Sequence, residues 1–200
     1  LGVDIFFVIN GFLLVPSVCK AIDDSAFSFF NFMEKRIVRL LPLIVLASVT
    51  SLILGYFLML PDDYENLAQT VIASNMFSEN ILSLITTNYW DVQTGYKPLM
   101  HLWYVGILFE FYIILPLILM LVSKIAASFK QNKMQSMTNT ILLLTIISFV
   151  LYLAPFASSS GKFYMLPFRF FELGIGGVIA LIYQQKRKYI LQNPASHLLV

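Results

Sequence analysis

Ten of the thirteen Lys and Arg residues fall in three short polar gaps between apolar stretches: Lys20 to Arg39, Lys124 to Lys133, and Lys186 to Lys188. Only Lys97, Lys162 and Arg169 lie in the alternate gaps or at the far ends of the stretches. Short loops rich in Lys and Arg stay in the cytoplasm, so this alternation describes a chain that crosses a bilayer repeatedly, with a readable orientation. A soluble fold is excluded on the same grounds: 58% of residues are hydrophobic and 12% charged, against roughly 25% charged in soluble domains.

A helix needs about 20 apolar residues to cross the hydrocarbon core. Five stretches approach that length: Gly2 to Val18, Leu40 to Leu60, His101 to Val122, Thr140 to Pro155 and Leu166 to Tyr183. Starting outside, this order puts every basic gap in the cytoplasm. The fold expected is an all-α, polytopic transmembrane helical bundle of about five spans. The outer segment between the second and third spans carries Asp62, Asp63, Glu65, Glu79 and Asp91 against one Lys97. Within it, residues 67–85 are moderately apolar but interrupted by Gln69, Asn75, Glu79 and Asn80, a pattern expected of an interfacial or re-entrant helix packed on protein. A sixth span there would invert everything downstream and put two basic gaps outside. Ser158-Ser159-Ser160-Gly161 reads as an outer turn.

The net charge of +2 is too small to suggest a nucleic-acid partner. The basic residues instead act as topology determinants beside a lipid bilayer. The single Cys19 precludes an internal disulfide and reads as an inert small residue, with palmitoylation the alternative. His197 lies in a polar tail and is expected to be solvated. The chain opens at Leu1, already apolar and with no basic residues ahead of its first span, so it reads as a fragment and not as a signal peptide.

Ionisable groups inside spans cost about 2.5 to 3.5 kcal/mol on insertion scales and tend to face a cavity or a partner. Asp4 is near the outer end of the first span; Gly11, seven residues on, shares its face and leaves room for a close helix. His101 opens the third span beside Trp103 and Tyr104, either as an aromatic-belt residue or as a base. Glu110 follows about 13 Å deeper at 1.5 Å per residue, on the opposite helical face, so a direct dyad with His101 is not expected. Arg169 and Glu172, three apart, share one face and can pair, with Gly174, Gly176 and Gly177 admitting a neighbouring helix. Arg36 and Arg39, one turn apart ahead of Pro42, which is expected to begin the next helix, present two guanidinium forks that suit a phosphate or pyrophosphate, although positive-inside anchoring would also account for them.

Six strings occur in order: Gly2-Val3-Asp4-Ile5-Phe6-Phe7-Val8-Ile9-Asn10-Gly11-Phe12-Leu13, Arg36-Ile37-Val38-Arg39-Leu40-Leu41-Pro42, Tyr89-Trp90-Asp91, Lys97-Pro98-Leu99-Met100-His101-Leu102-Trp103, Phe111-Tyr112 and Arg169-Phe170-Phe171-Glu172-Leu173. Together they resemble the bacterial acyltransferase-3 family of integral membrane O-acyltransferases, over nearly the whole chain, residues 1–200. The resemblance implies acyl transfer, usually of acetyl, from cytoplasmic acyl-coenzyme A to a hydroxyl of a carbohydrate or lipid-linked glycan outside, by a multi-pass protein of the inner (plasma) membrane. It matches Arg36 and Arg39 to a cytoplasmic Arg-x-x-Arg motif suited to the coenzyme's phosphates, and implies no metal. On this reading Asp4, Arg169 and Glu172 shape the acceptor side, with His101 and Glu110 as catalytic candidates.

Family members carry a helix ahead of the Gly-Val-Asp string with a histidine thought to be catalytic, so the base is expected in that segment ahead of this chain in preference to His101. Many also have adjacent carboxylates where this chain has Leu108 and Phe109, keeping only Glu110. Two other classes remain compatible with buried charges: a transporter or flippase without thioester chemistry, and a membrane scaffold in which the pairs are purely structural.

Overall fold

A computed structural model describes residues 2–86, 98–155 and 157–192. Among these residues there are helices and no strands: α1 (Gly2–Asp23), α2 (Phe29–Leu58), α3 (Pro61–Asn75), α4 (Glu79–Thr86), a single 3₁₀ turn (Met100–Leu102), α5 (Trp103–Ser128), α6 (Lys133–Leu153), α7 (Ser159–Tyr164) and α8 (Leu166–Gln192). Five helical segments are long and apolar enough to cross a membrane: Gly2–Asp23, Phe29–Leu58, Met100–Ser128, Lys133–Leu153 and Ser159–Gln184. Each overlaps one of the five expected spans.

The boundaries differ from expectation in three places. Pro42 does not begin a helix; it lies inside α2, which already starts at Phe29 and so carries Arg36 and Arg39 on helix instead of in a loop. Proline removes one backbone hydrogen bond, a loss tolerated in long apolar helices, and Pro16 and Pro116 are likewise internal to α1 and α5. The fourth span begins at Lys133, where Asn132 Oδ1 accepts a hydrogen bond from the backbone N–H of Gln135 at 3.0 Å. Ser158–Gly161 is not a free turn but the start of α7, with Ser158 Oγ accepting from Gly161 N at 3.1 Å.

Residues 67–85 form neither one span nor one helix. The chain turns at Phe77, whose φ of 55° ends α3, and at ~1.5 Å per residue neither α3 nor α4 reaches the ~30 Å of a hydrocarbon core. Pro61 suits the first position of α3, and Asp62 and Asp63 favour its positive end. Tyr89-Trp90-Asp91, Lys97 and His197 lie outside the described residues.

The chain divides into two compact units. The first comprises Leu1–Phe27, Pro116–Leu151 and Arg169–Val200. Its core joins Phe7, Leu14 and Val15 of α1, Leu119 of α5, Met137 and Ile141 of α6 and Leu173 of α8, all buried. Glycines set how closely α8 packs there. A Cβ on Gly176 would overlap the Val8 carbonyl of α1, one on Gly177 would press on Val15, and one on Gly174 would overlap Thr145 of α6. Small residues at such crossings let backbones approach where lipid offers no hydrophobic driving force.

The second unit comprises Ser28–Leu115 and Tyr152–Phe168. Ile44, Phe77 and Val105 form a buried cluster against which Ile37, Leu41 and Phe109 pack. Phe77 stacks on Phe109 at 4.3 Å between ring centres, so the turn that separates α3 from α4 is also an anchor on α5. Only 11% of the apolar window of α2 is buried, against 50% for Met100–Ser128. Leu43, Leu46 and Leu54 of α2 are therefore exposed to what would be lipid.

Candidate functional site

Within the first unit, Arg169 near the start of α8 gathers two carboxylates. Its Nη1 donates to Glu172 Oε1 at 2.6 Å, the i,i+3 pair anticipated from spacing, and to Asp4 Oδ1 on α1 at 2.8 Å. The side chains of Arg169 and Glu172 are 11% and 7% exposed, while that of Asp4 is 40% exposed. The cluster thus has a protein side and an open side, with Asp4 on the open one. Two carboxylates on one guanidinium leave a formal charge of −1, and Glu172 Oε2 is buried without a hydrogen-bond partner among the described residues. Such an oxygen can accept from a hydroxyl, the commonest polar group of a carbohydrate.

Three contacts hold this triad in position. Gly11 meets the backbone of Leu173, which keeps α1 against α8 one residue past Glu172. Ser148 Oγ of α6 accepts from the backbone N–H of Phe171 at 2.9 Å, and the Phe149 and Phe171 rings meet edge to face at 5.4 Å. Asp4 was expected on the face of Gly11, and the close approach read from Gly11, Gly174, Gly176 and Gly177 is present. The 165-residue separation of Asp4 from Arg169 left their pairing without a signal in the spacing.

Two further groups belong to the second unit. Arg36 of α2 has its guanidinium carbon 5.1 Å from the centre of the Phe32 ring and 5.4 Å from that of Tyr112 on α5. The rings are themselves edge to face at 6.1 Å. Cation–π contact of this kind holds a guanidinium in one plane while leaving its N–H groups available. Arg36 Nε is buried and has no hydrogen-bond partner among the described residues, whereas Arg39, one turn on, is exposed. Nothing in the spacing of Phe111-Tyr112 signals that Tyr112 lies beneath Arg36; the aromatic four residues before Arg36, Phe32, is the signal the sequence carries.

Glu110 of α5 is paired with another helix. Asn80 of α4 donates from Nδ2 to Glu110 Oε1 at 2.8 Å and to the carbonyl of Tyr164 at 3.1 Å. Asn80 is 2% exposed, and a Cβ on Gly106 would overlap its carboxamide oxygen, so the glycine makes room for the bridge. Trp103 packs on Phe163 at 4.5 Å and on Tyr164 at 5.8 Å between ring centres, which fixes the carbonyl that Asn80 uses. His101 lies on the 3₁₀ turn before α5 and is exposed. Glu110 is thus held by Asn80 within a packed polar knot, and His101 stays accessible to a solute.

Apolar helices holding an Asp–Arg–Glu cluster, and a guanidinium set on aromatic rings, define a multi-pass membrane protein with charged side chains on its long helices. The chain belongs to the acyltransferase-3 family: the family's model, described as an acyltransferase domain, matches residues 1–198. It is 27% identical over 206 residues to an uncharacterized protein of Haemophilus influenzae, covering 98% of this chain and 80% of that one. It is 29% identical over 189 residues to a protein of Bacillus subtilis named "Putative peptidoglycan O-acetyltransferase", covering 94% of this chain and 29% of that one. A "Putative O-acetyltransferase" of Staphylococcus aureus (strain COL) is 33% identical over 123 residues, 60% of this chain and 20% of that one. The chain therefore spans less than a third of the length of these two named relatives. No solved structure matches it.

Proposed function

We propose that this chain, residues 1–200 acting as part of one membrane domain, moves an acyl group, acetyl by analogy with its relatives' names, from cytoplasmic acyl-coenzyme A to a hydroxyl of an extracytoplasmic carbohydrate or lipid-linked glycan. The observation that carries the reading is Arg36: a guanidinium held on two aromatic rings, one turn from exposed Arg39, in the segment that the positive-inside rule assigns to the cytoplasm. A topology signal needs charge but no such preorganisation. Two forks one turn apart suit the coenzyme's phosphates.

In the reaction a base takes the proton of the acceptor hydroxyl as its oxygen attacks the thioester carbonyl carbon. The C–O bond forms, the C–S bond breaks, and the coenzyme leaves as a thiolate that takes up the proton. Asp4 and Glu172, oriented by Arg169, accept hydrogen bonds from the sugar; Glu110 and exposed His101 are the proton-handling candidates in this chain. The site of action is the bacterial inner membrane.

The test is transfer of radiolabelled acetyl from acetyl-coenzyme A to cell-surface glycan, in cells expressing the parent protein or its Arg36→Ala/Arg39→Ala variant at equal membrane abundance. Label that depends on the arginines supports the reading. Absence of label with the parent would favour a transporter or flippase, and equal label from both would reduce the arginines to topology anchors.

A further inference from the structure

At the end of the first unit that the positive-inside rule assigns to the cytoplasm, a cavity of about 240 Å³ is lined by Ile22 in the last turn of α1, by Ser25 and Phe27 just after it, by Met120, Ser123, Lys124 and Ala127 of α5, and by Lys133 at the start of α6. Its lining is of two kinds. Ile22, Phe27, Met120 and Ala127 make an apolar floor, while Lys124, Lys133, Ser25 and Ser123 supply two cations and two hydroxyls and no carboxylate. Asp23 and Asp24 close α1 beside it without lining it. Ser25 is held in the left-handed region (φ 56°), where the chain folds back after α1, its N–H bonded to the carbonyl of Ile22 at 3.1 Å. On α5, Leu121 and Ile125 flank Lys124 and are 60% and 49% exposed, so the rim of the cavity continues into a surface that would meet acyl chains.

We propose that this cavity binds the phosphate headgroup of an anionic phospholipid of the cytoplasmic leaflet, with Lys124 and Lys133 on the phosphate, Ser25 and Ser123 on its ester and glycerol oxygens, and the acyl chains along Leu121 and Ile125. Two lysines and four apolar residues lining one cavity, at the level where helices leave the hydrocarbon, match a molecule that is anionic at one end and apolar at the other. Two lysines retained only as orientation signals would need neither the cavity nor the hydroxyls. The site is independent of Arg36 and Arg39 and does not rest on the proposed reaction.

The experiment measures fluorescence anisotropy of phosphatidylglycerol labelled on an acyl chain, titrated with the full chain in a mild detergent. Saturable binding is expected, competed by unlabelled phosphatidylglycerol and not by phosphatidylcholine. With each cation near the surface contributing about fivefold, Lys124→Gln/Lys133→Gln should weaken binding by roughly thirtyfold, and Lys124→Arg/Lys133→Arg should retain it. Equal competition by phosphatidylcholine, or unchanged affinity in the glutamine variant, would overturn the proposal. Displacement by millimolar inorganic phosphate or acetyl-coenzyme A would overturn it in favour of a soluble phosphate ligand. Should the glutamine variant not fold, salt decides: loss of the phosphatidylglycerol preference by 0.5 M salt supports the site, and a salt-insensitive preference removes it.

Discussion

Gly11 of α1 stands so close to Leu173 of α8 that a Cβ at position 11 would overlap the Leu173 carbonyl oxygen. Leu173 follows Glu172 directly, so this crossing sets the distance over which Asp4 reaches Arg169.

Gly11→Ala should therefore destabilise the protein by about 1 to 3 kcal/mol, the range for inserting a methyl where backbone must shift. Gly2→Ala, with open space around it, is the matched control. Thermal unfolding in detergent should show a lower midpoint for the first and no change for the second.

Arg169→Met leaves Glu172 buried without its partner, and breaking such a pair costs about 3 to 5 kcal/mol. Membrane abundance of this variant should fall sharply. In Arg169→Met/Glu172→Gln the buried charge is gone, so abundance should recover while acetyl transfer stays absent. Recovery of both would make the pair a structural clamp.

Asn80 and Glu110 should be energetically coupled. A double-mutant cycle of Asn80→Ala and Glu110→Ala, read by chemical denaturation in micelles, should return an interaction of about 1.5 to 3 kcal/mol, the range for hydrogen bonds to charged groups. A coupling near zero would mean that Asn80 is held by the Tyr164 carbonyl alone.

Arg36→Lys keeps the charge but loses the planar fork that lies on Phe32 and Tyr112. If the coenzyme's phosphates bind there, KM for acyl-coenzyme A should rise roughly tenfold for about 1.4 kcal/mol of lost binding, with kcat little changed. Phe32→Leu should move KM in the same direction, because it removes one ring while leaving both arginines.

Much of the architecture was legible from local pattern. Hydropathy located five spans because a bilayer rewards a long apolar run whatever it packs against. The basic gaps carry an expectation of orientation, and the i,i+3 spacing of Arg169 and Glu172 anticipated their pairing. The boundaries were less legible. Apolar averaging could not register Phe77 at a positive φ between α3 and α4, nor that α2 continues through Pro42, since both are decided by the turn and by what each helix packs on.

By itself, then, the sequence determined the helical class, the five candidate spans, the family, and which glycines would sit at helix contacts. The tertiary structure alone decided that Asp4 joins Arg169, that Asn80 takes Glu110, and that Arg36 rests on Tyr112. The reason is physical: spans are specified by a one-dimensional average against lipid, whereas a buried polar group's partner depends on which helical faces meet, and those residues lie 165, 30 and 76 positions apart in the chain.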